Sequence, residues 1–139
     1  MSLIADKITL GKDGKLRSLP VAAGKYIYAG ALVVNSATGF AEPGLTAANV
    51  TAVGRAEQYA DNTLGADGAI NVQVRRGIFA FANSTGADAI SRANIGQTCY
   101  VVDDETVALT GAPSSGTNTR SAAGRVFDVD ADGVWVEIL

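Results

Sequence analysis

The sequence predicts an all-β fold: a small β-barrel or β-sandwich of short antiparallel strands, with an extended N-terminal arm and one short helical turn. Three observations lead there. Apolar residues come in short, β-branched runs rather than at helical spacing. Turn signals built from Gly, Asn, Asp and Pro recur about every ten residues. No β-α-β alternation runs through the chain, which argues against a doubly wound parallel sheet. A length of 139 residues suits one domain, and a domain of that size buries about 68% of the surface its unfolded chain exposes.

Residues 1–20 read as the arm. Three of the four lysines lie there (Lys7, Lys12 and Lys15) beside Arg17, in a turn-rich stretch without sustained period. Residues 21–139 read as a single β-domain. Tyr26 to Val34 is rich in β-formers, with Gly30 as a bulge or bend. Asn35 to Gly39 is a turn, and Val50 to Glu57 is a strand interrupted by Gly54. Ala69 to Arg76 alternates, with Ile70, Val72 and Val74 on one face and Asn71, Gln73 and Arg75 on the other. That is a half-buried strand. Ile78 to Ala82 continues beyond Gly77, and Asp88 to Gly96 supplies the helical turn. Thr98 to Val102 and Glu105 to Leu109 flank Asp103-Asp104 as a hairpin, followed by a Gly/Ser/Thr-rich loop over 110–121. Val126 to Val129 and Val134 to Ile138 form the last hairpin around Asp132-Gly133.

Composition excludes more than it assigns. The chain has no histidine and one cysteine, Cys99. Histidine triads, histidine-ligated zinc and intrachain disulfides are therefore ruled out. A net charge of −3 lacks the basic bias of a duplex-binding module, so no nucleic acid is expected as partner. The longest apolar run, Tyr26 to Val34, is far shorter than the roughly 20 residues of a spanning helix, and no membrane is expected either. No basic, apolar leader opens the sequence, so synthesis in a cytoplasm is expected. Phosphate-binding and nucleophile-elbow motifs are missing, and nothing sets a nucleophile beside a base. The reading is a non-enzyme with no catalytic, cofactor-binding or metal residues.

Several clusters invite chemistry and decline it on inspection. Asp128-x-Asp130-x-Asp132-Gly133 imitates the opening of an EF-hand loop, but the twelfth position, which needs a bidentate Glu, is Leu139. Asp103-Asp104-Glu105 reads as an exposed acidic tip suited to a basic partner rather than to acid–base catalysis. Cys99 sits in an apolar strand with no adjacent cation and reads as packing. Arg75 and Arg76 point to opposite faces of a strand, so one pairs with a carboxylate or meets another subunit. Trp135, between Val134 and Val136, belongs to the core or to a subunit interface.

The ordered set of segments resembles the capsid cement (head decoration) proteins of tailed bacteriophages. Val21 to Val33, Ala52 to Glu57, Val72 to Phe79, Ile95 to Val107, Ala123 to Val126 and Asp132 to Glu137 carry the likeness, which covers nearly the whole chain after the arm. No one motif is diagnostic; the order of strands and turns is what matches. The resemblance implies a structural protein of the virion on the capsid exterior, made in the host bacterial cytoplasm. Its partners would be the expanded major-capsid lattice and further copies of itself, a trimer in preference to a dimer. It would brace the head against packaged DNA. From this sequence alone, Lys7, Lys12, Lys15 and Arg17 are the candidates for the capsid contact, and Arg75, Arg76 and Trp135 for subunit contacts. The alternative is a tail-tube, baseplate or fibre-associated β-module, glycan binding included, although the supply of aromatic residues looks poor for a sugar platform.

Overall fold

The computed structural model describes residues 2–113 and 116–139. Its strands are β1 (Leu16–Pro20), β2 (Tyr26–Ile27), β3 (Leu32–Asn35), β4 (Ala41–Pro43), β5 (Thr51–Ala56) and β6 (Ala60–Asp61), then β7 (Asn71–Arg75), β8 (Gly77–Asn83), β9 (Thr98–Val101), β10 (Thr106–Ala108), β11 (Ala122–Asp130) and β12 (Gly133–Ile138). The chain is all-β. In place of the one short helical turn that the sequence predicts, two 3-10 turns stand, Gly86–Asp88 and Arg92–Asn94. Asn83 explains the break between them. Its side chain donates to the Ile90 carbonyl at 2.7 Å and accepts from the Ile90 amide at 2.9 Å. Both backbone groups that a continuous helix would use internally are thereby taken, and Ile90 is turned into the core.

A barrel and an open sheet are built side by side. The barrel closes in the order β10-β8-β12-β11-β9, and the sheet runs β1-β7-β5-β3-β4. The barrel's strand pairs are antiparallel except β10 with β8, which is parallel where the sequence predicts antiparallel strands throughout. β9 accounts for it: β10 turns back antiparallel to β9 and closes the barrel against β8. A separate two-stranded pair, β2 with β6, caps the sheet.

The apolar run Leu32-Val33-Val34 joins the two halves. All three side chains are fully buried, which an alternating, one-sided strand would not allow. Leu32 and Val34 pack with the barrel residues Val101, Val126 and Val136. Val33 packs with Val21, Val53, Val72 and Val74 in a second core. β3 is therefore a wall with a core on each side. β7 keeps the expected alternation, with Val72 and Val74 buried, Asn71 and Gln73 exposed, and Ile70 packed at the margin of the second core.

Two sequence boundaries move. The stretch from Tyr26 to Val34 is two strands, because Gly30, at φ +86°, turns the chain between them and the Ala31 amide closes onto the Tyr28 carbonyl at 3.1 Å. Residues 16–20, which the sequence groups with the arm, form edge strand β1 against β7, from Leu16 opposite Arg75 to Pro20 opposite Asn71. Leu16 and Leu19 are half-buried there. Pro20 is tolerated because β1 lies on the sheet edge. Residues 2–15 carry no strand and are exposed throughout.

Nothing in the sequence marks Asn62, yet it is one of the most buried polar residues. Its side-chain amide donates to the carbonyls of Val21, Ala22 and Ala66, fastening the β6 turn to the end of β1.

Candidate functional site

The arm is the largest uncovered apolar feature. Leu3, Ile4, Ile8 and Leu10 are 72%, 100%, 89% and 91% exposed, respectively. Lys7 lies between Ile4 and Ile8, and Lys12 and Lys15 follow Leu10, all exposed, as are Asp6 and Asp13. Arg17 stands apart from the three lysines, since it belongs to β1 and reaches the Val53 carbonyl at 3.5 Å. Four large apolar side chains left in water cost the free chain roughly 1.5–3 kcal/mol each relative to burial. Such a segment is suited to a surface that covers it.

Arg75 and Arg76 have different fates. Arg75 Nε donates to Glu57 Oε1 in a short ion pair. Arg55 lies directly opposite Arg75 across β5 and β7, a like-charge pairing that would be unfavourable alone. Glu57 bridges both guanidiniums, with Arg55 Nη2 at 3.1 Å from Oε2. The Arg75 hydrogen bond, helped by Arg55, holds the Glu57 carboxyl below its usual range. Arg55 also lies over the Phe79 ring at 4.2 Å. Arg75 is thus engaged within its own chain. Arg76 is exposed, with its amide tied to the Lys15 carbonyl at 2.9 Å at the root of the arm.

Trp135 faces outward from the barrel, half-buried, between Ala80 on β8 and Asp128 on β11. Its Nε1–H donates to both carboxylate oxygens of Asp130 at 3.0 Å. That bond explains one carboxylate of the calcium-like run. Asp130 also accepts from the Asp132 amide at 2.9 Å, and Asp128 from the Val129 amide at 2.8 Å. Among the described residues, no cluster of His, Cys, Asp or Glu is arranged to hold a metal. In Asp103-Asp104-Glu105, Asp103 Oδ1 accepts from the Glu105 amide and closes the hairpin tip. Cys99 is fully buried, its Sγ is 3.7 Å from the Gly124 carbonyl, and burial pushes the thiol up to about 12. A thiol so far from ionising is no nucleophile at neutral pH.

A tyrosine platform emerges that the sequence did not reveal. β2 and β6 pair Tyr26 with Asp61 and Ile27 with Ala60. Opposite residues share a face, so Ile27 and Ala60 point inward and the tyrosines outward. Tyr26 lies 4.5 Å from Tyr28 and is stacked with Tyr59 at 6.0 Å between ring centroids. Tyr28 and Tyr59 remain 64% and 66% exposed. Burial against its neighbours, with the charges of Tyr28, Asp61 and Tyr59, raises the Tyr26 hydroxyl above its ordinary range. Hydrogen bonds from the Thr63 hydroxyl and amide hold Asp61 low and ionised. Beside Tyr28 an open cleft of about 390 Å³ is lined by Ala29, Gly30, Ala31, Asp104 and Glu105. Three of the four tyrosines thus lie together, with Asp61 opposite Tyr26 and the Asp104–Glu105 cleft beside Tyr28. The only sequence signal was Tyr26 and Tyr28 two apart in a β-run, hence on one face.

Elsewhere a charge pair secures the loop after β10. Arg120 Nη1 meets Asp88 Oδ2 at 2.6 Å, while Asp88 Oδ1 accepts from the Thr110 amide and hydroxyl. Burial opposes ionisation of Asp88, yet the bonds from Arg120 and Thr110 outweigh it and leave the carboxyl below its usual range. A carboxyl lowered by folding stabilises the fold above its unfolded value, near 3.9, and that contribution is lost as pH falls through the folded value. Asp88→Asn is therefore expected to lower the melting temperature at pH 7, and the gap to wild type is expected to close in acid, as pH falls from the unfolded value through the lower folded one. An undiminished gap in acid would show that the charge is not what matters there.

No family model, no curated protein and no solved structure matches this chain.

Proposed function

We propose that this chain is a non-enzymatic capsid decoration protein, binding the outer surface of an expanded phage head as a homo-oligomer. The observation that carries the reading is the arm: 14 residues with three lysines, two aspartates and four exposed large apolar side chains, uncovered, on a folded β-body. The order of strand-and-turn segments that resembles cement proteins supports it. A weak arm contact repeated across a regular lattice becomes strong through effective concentration, without any one site being tight. Binding only the expanded lattice stabilises that state by mass action. Lys7, Lys12, Lys15 and Arg17 are assigned the lattice contact, and the exposed Arg76 and outward Trp135 the contacts between subunits.

The test is co-sedimentation of the purified protein with expanded heads and with unexpanded precursor heads. Saturable binding to expanded heads alone is the expected result. Binding to neither would discard the proposal. The tyrosine platform favours a second reading, a glycan-binding β-module, for which a glycan array is the discriminating measurement.

A further inference from the structure

Two bare surfaces on this chain complement one another. Beyond a bend at Ile4–Ala5 the arm is extended, and side chains alternating with period two place Ile8, Leu10 and Lys12 on one face together with Asp6. The platform offers exposed Tyr28 and Tyr59 rings, with Asp61 opposite Tyr26 and the Asp104–Glu105 cleft beside Tyr28. Apolar side chains suit the rings. A lysine beyond them suits carboxylates and ring faces alike. Within one chain both surfaces stay uncovered.

We propose that the arm tip of one copy, Ile4 to Lys12, seats on the tyrosine platform of a second copy. Ile8 and Leu10 lie against the Tyr28 and Tyr59 rings, and Lys12 turns toward the acidic cleft. Reach permits it. Fourteen extended residues span at most about 46–50 Å, while a domain of this length has a radius of gyration of about 14 Å. Donor and acceptor are different patches, so one arm–platform contact is heterologous, and copies joined by it form either a ring or a pair that exchanges arms. The arm root, Lys15 with Arg17, stays on its own sheet edge and free for another surface. This contact takes Lys12 from the four basic residues proposed for the lattice and leaves Lys15 and Arg17 to it; self-association is measured without heads, so its failure and that of the lattice reading are distinguishable.

The test uses the full chain without heads. Gly11→Cys and Ala29→Cys are made singly, at exposed positions within the proposed contact but beside its contacting side chains, and mixed under mild oxidation; Cys99 is buried and takes no part. The expected product is a disulfide-linked pair containing one of each, at least tenfold more than either variant alone gives. No mixed pair overturns the proposal. So does intrachain closure, without linked pairs, when both substitutions sit in one chain, because the arm then folds onto its own body. Sedimentation velocity supplies the second readout. Tyr28→Ala with Tyr59→Ala, and separately Ile8→Ser with Leu10→Ser, should each weaken self-association at least tenfold. The arm pair buries nothing in its own chain, so misfolding does not account for its effect. Unchanged self-association in both would leave the platform to a glycan or another partner and overturn the inference.

Discussion

Replacing Gly54 with alanine is expected to cost about 4 kcal/mol of stability, near the top of what single substitutions do. Gly54 lies in β5 at φ +145°, a conformation that L side chains rarely adopt. Strain of that kind costs on the order of 1–3 kcal/mol. The greater problem is space. An added Cβ would overlap the Arg75 carbonyl oxygen, stand 2.8 Å from its carbon and 2.9 Å from Val74 Cγ1. β5 and β7 would have to part where Arg55, Arg75 and Glu57 are held together. Since a domain of this kind is stable by about 5–15 kcal/mol in total, the melting temperature should fall by more than about 10 °C. Gly39→Ala is the control, with φ +91° and nothing near its added Cβ; it should cost only about 1 kcal/mol. Equal losses at the two positions would mean that close strand approach is not what requires glycine at Gly54.

Removing residues 2–15 is expected to lower binding to expanded heads at least 100-fold while leaving the β-body folded. The second half of that expectation follows from burial: the segment is exposed throughout and makes no strand. The first follows from repetition, since taking the arm from every copy in an oligomer weakens many attachments at once. Deletion also removes the arm tip, so a narrower variant is needed. Lys15→Glu with Arg17→Glu spares Ile4 to Lys12 and reverses two charges at the root. It should weaken head binding and flatten its dependence on salt, with self-association unchanged. Wild-type binding by the deleted protein would remove the arm from the lattice contact altogether.

What was legible in the sequence followed from local rules. Ile70, Val72 and Val74 alternate with polar neighbours, and the structure turns Val72 and Val74 inward beside a half-buried Ile70. Asp132-Gly133 marks the β11–β12 hairpin, which pairs Asp130 with Gly133. What was not legible depended on distant partners. Leu32-Val33-Val34 reads as one apolar strand, but no local pattern says that its two faces meet different cores. Asp88 to Gly96 reads as a helical turn, and a remote side chain, Asn83, splits it. The tyrosine platform needs Tyr59 to come back across some thirty residues through a ladder only two residues long. Trp135 sits in an apolar run, Val134-Trp135-Val136, that does not say which face is the core; burial of both valines leaves it outside, where Asp130 accepts its Nε1–H.

The wall formed by β3 also governs how the molecule comes apart. Losing the barrel alone would bare Leu32 and Val34; losing the flanking core alone would bare Val33. Each half therefore supplies the other with a finished surface, and a half-melted state gains chain entropy only by wetting the strand that both need. The halves are coupled like two rooms that share a supporting partition. A disruption on one side, such as that at Gly54, reaches the barrel through β3 and through its neighbour Arg55, which lies over Phe79 of β8, and the intrinsic fluorescence of Trp135 becomes a gauge for both rooms at once.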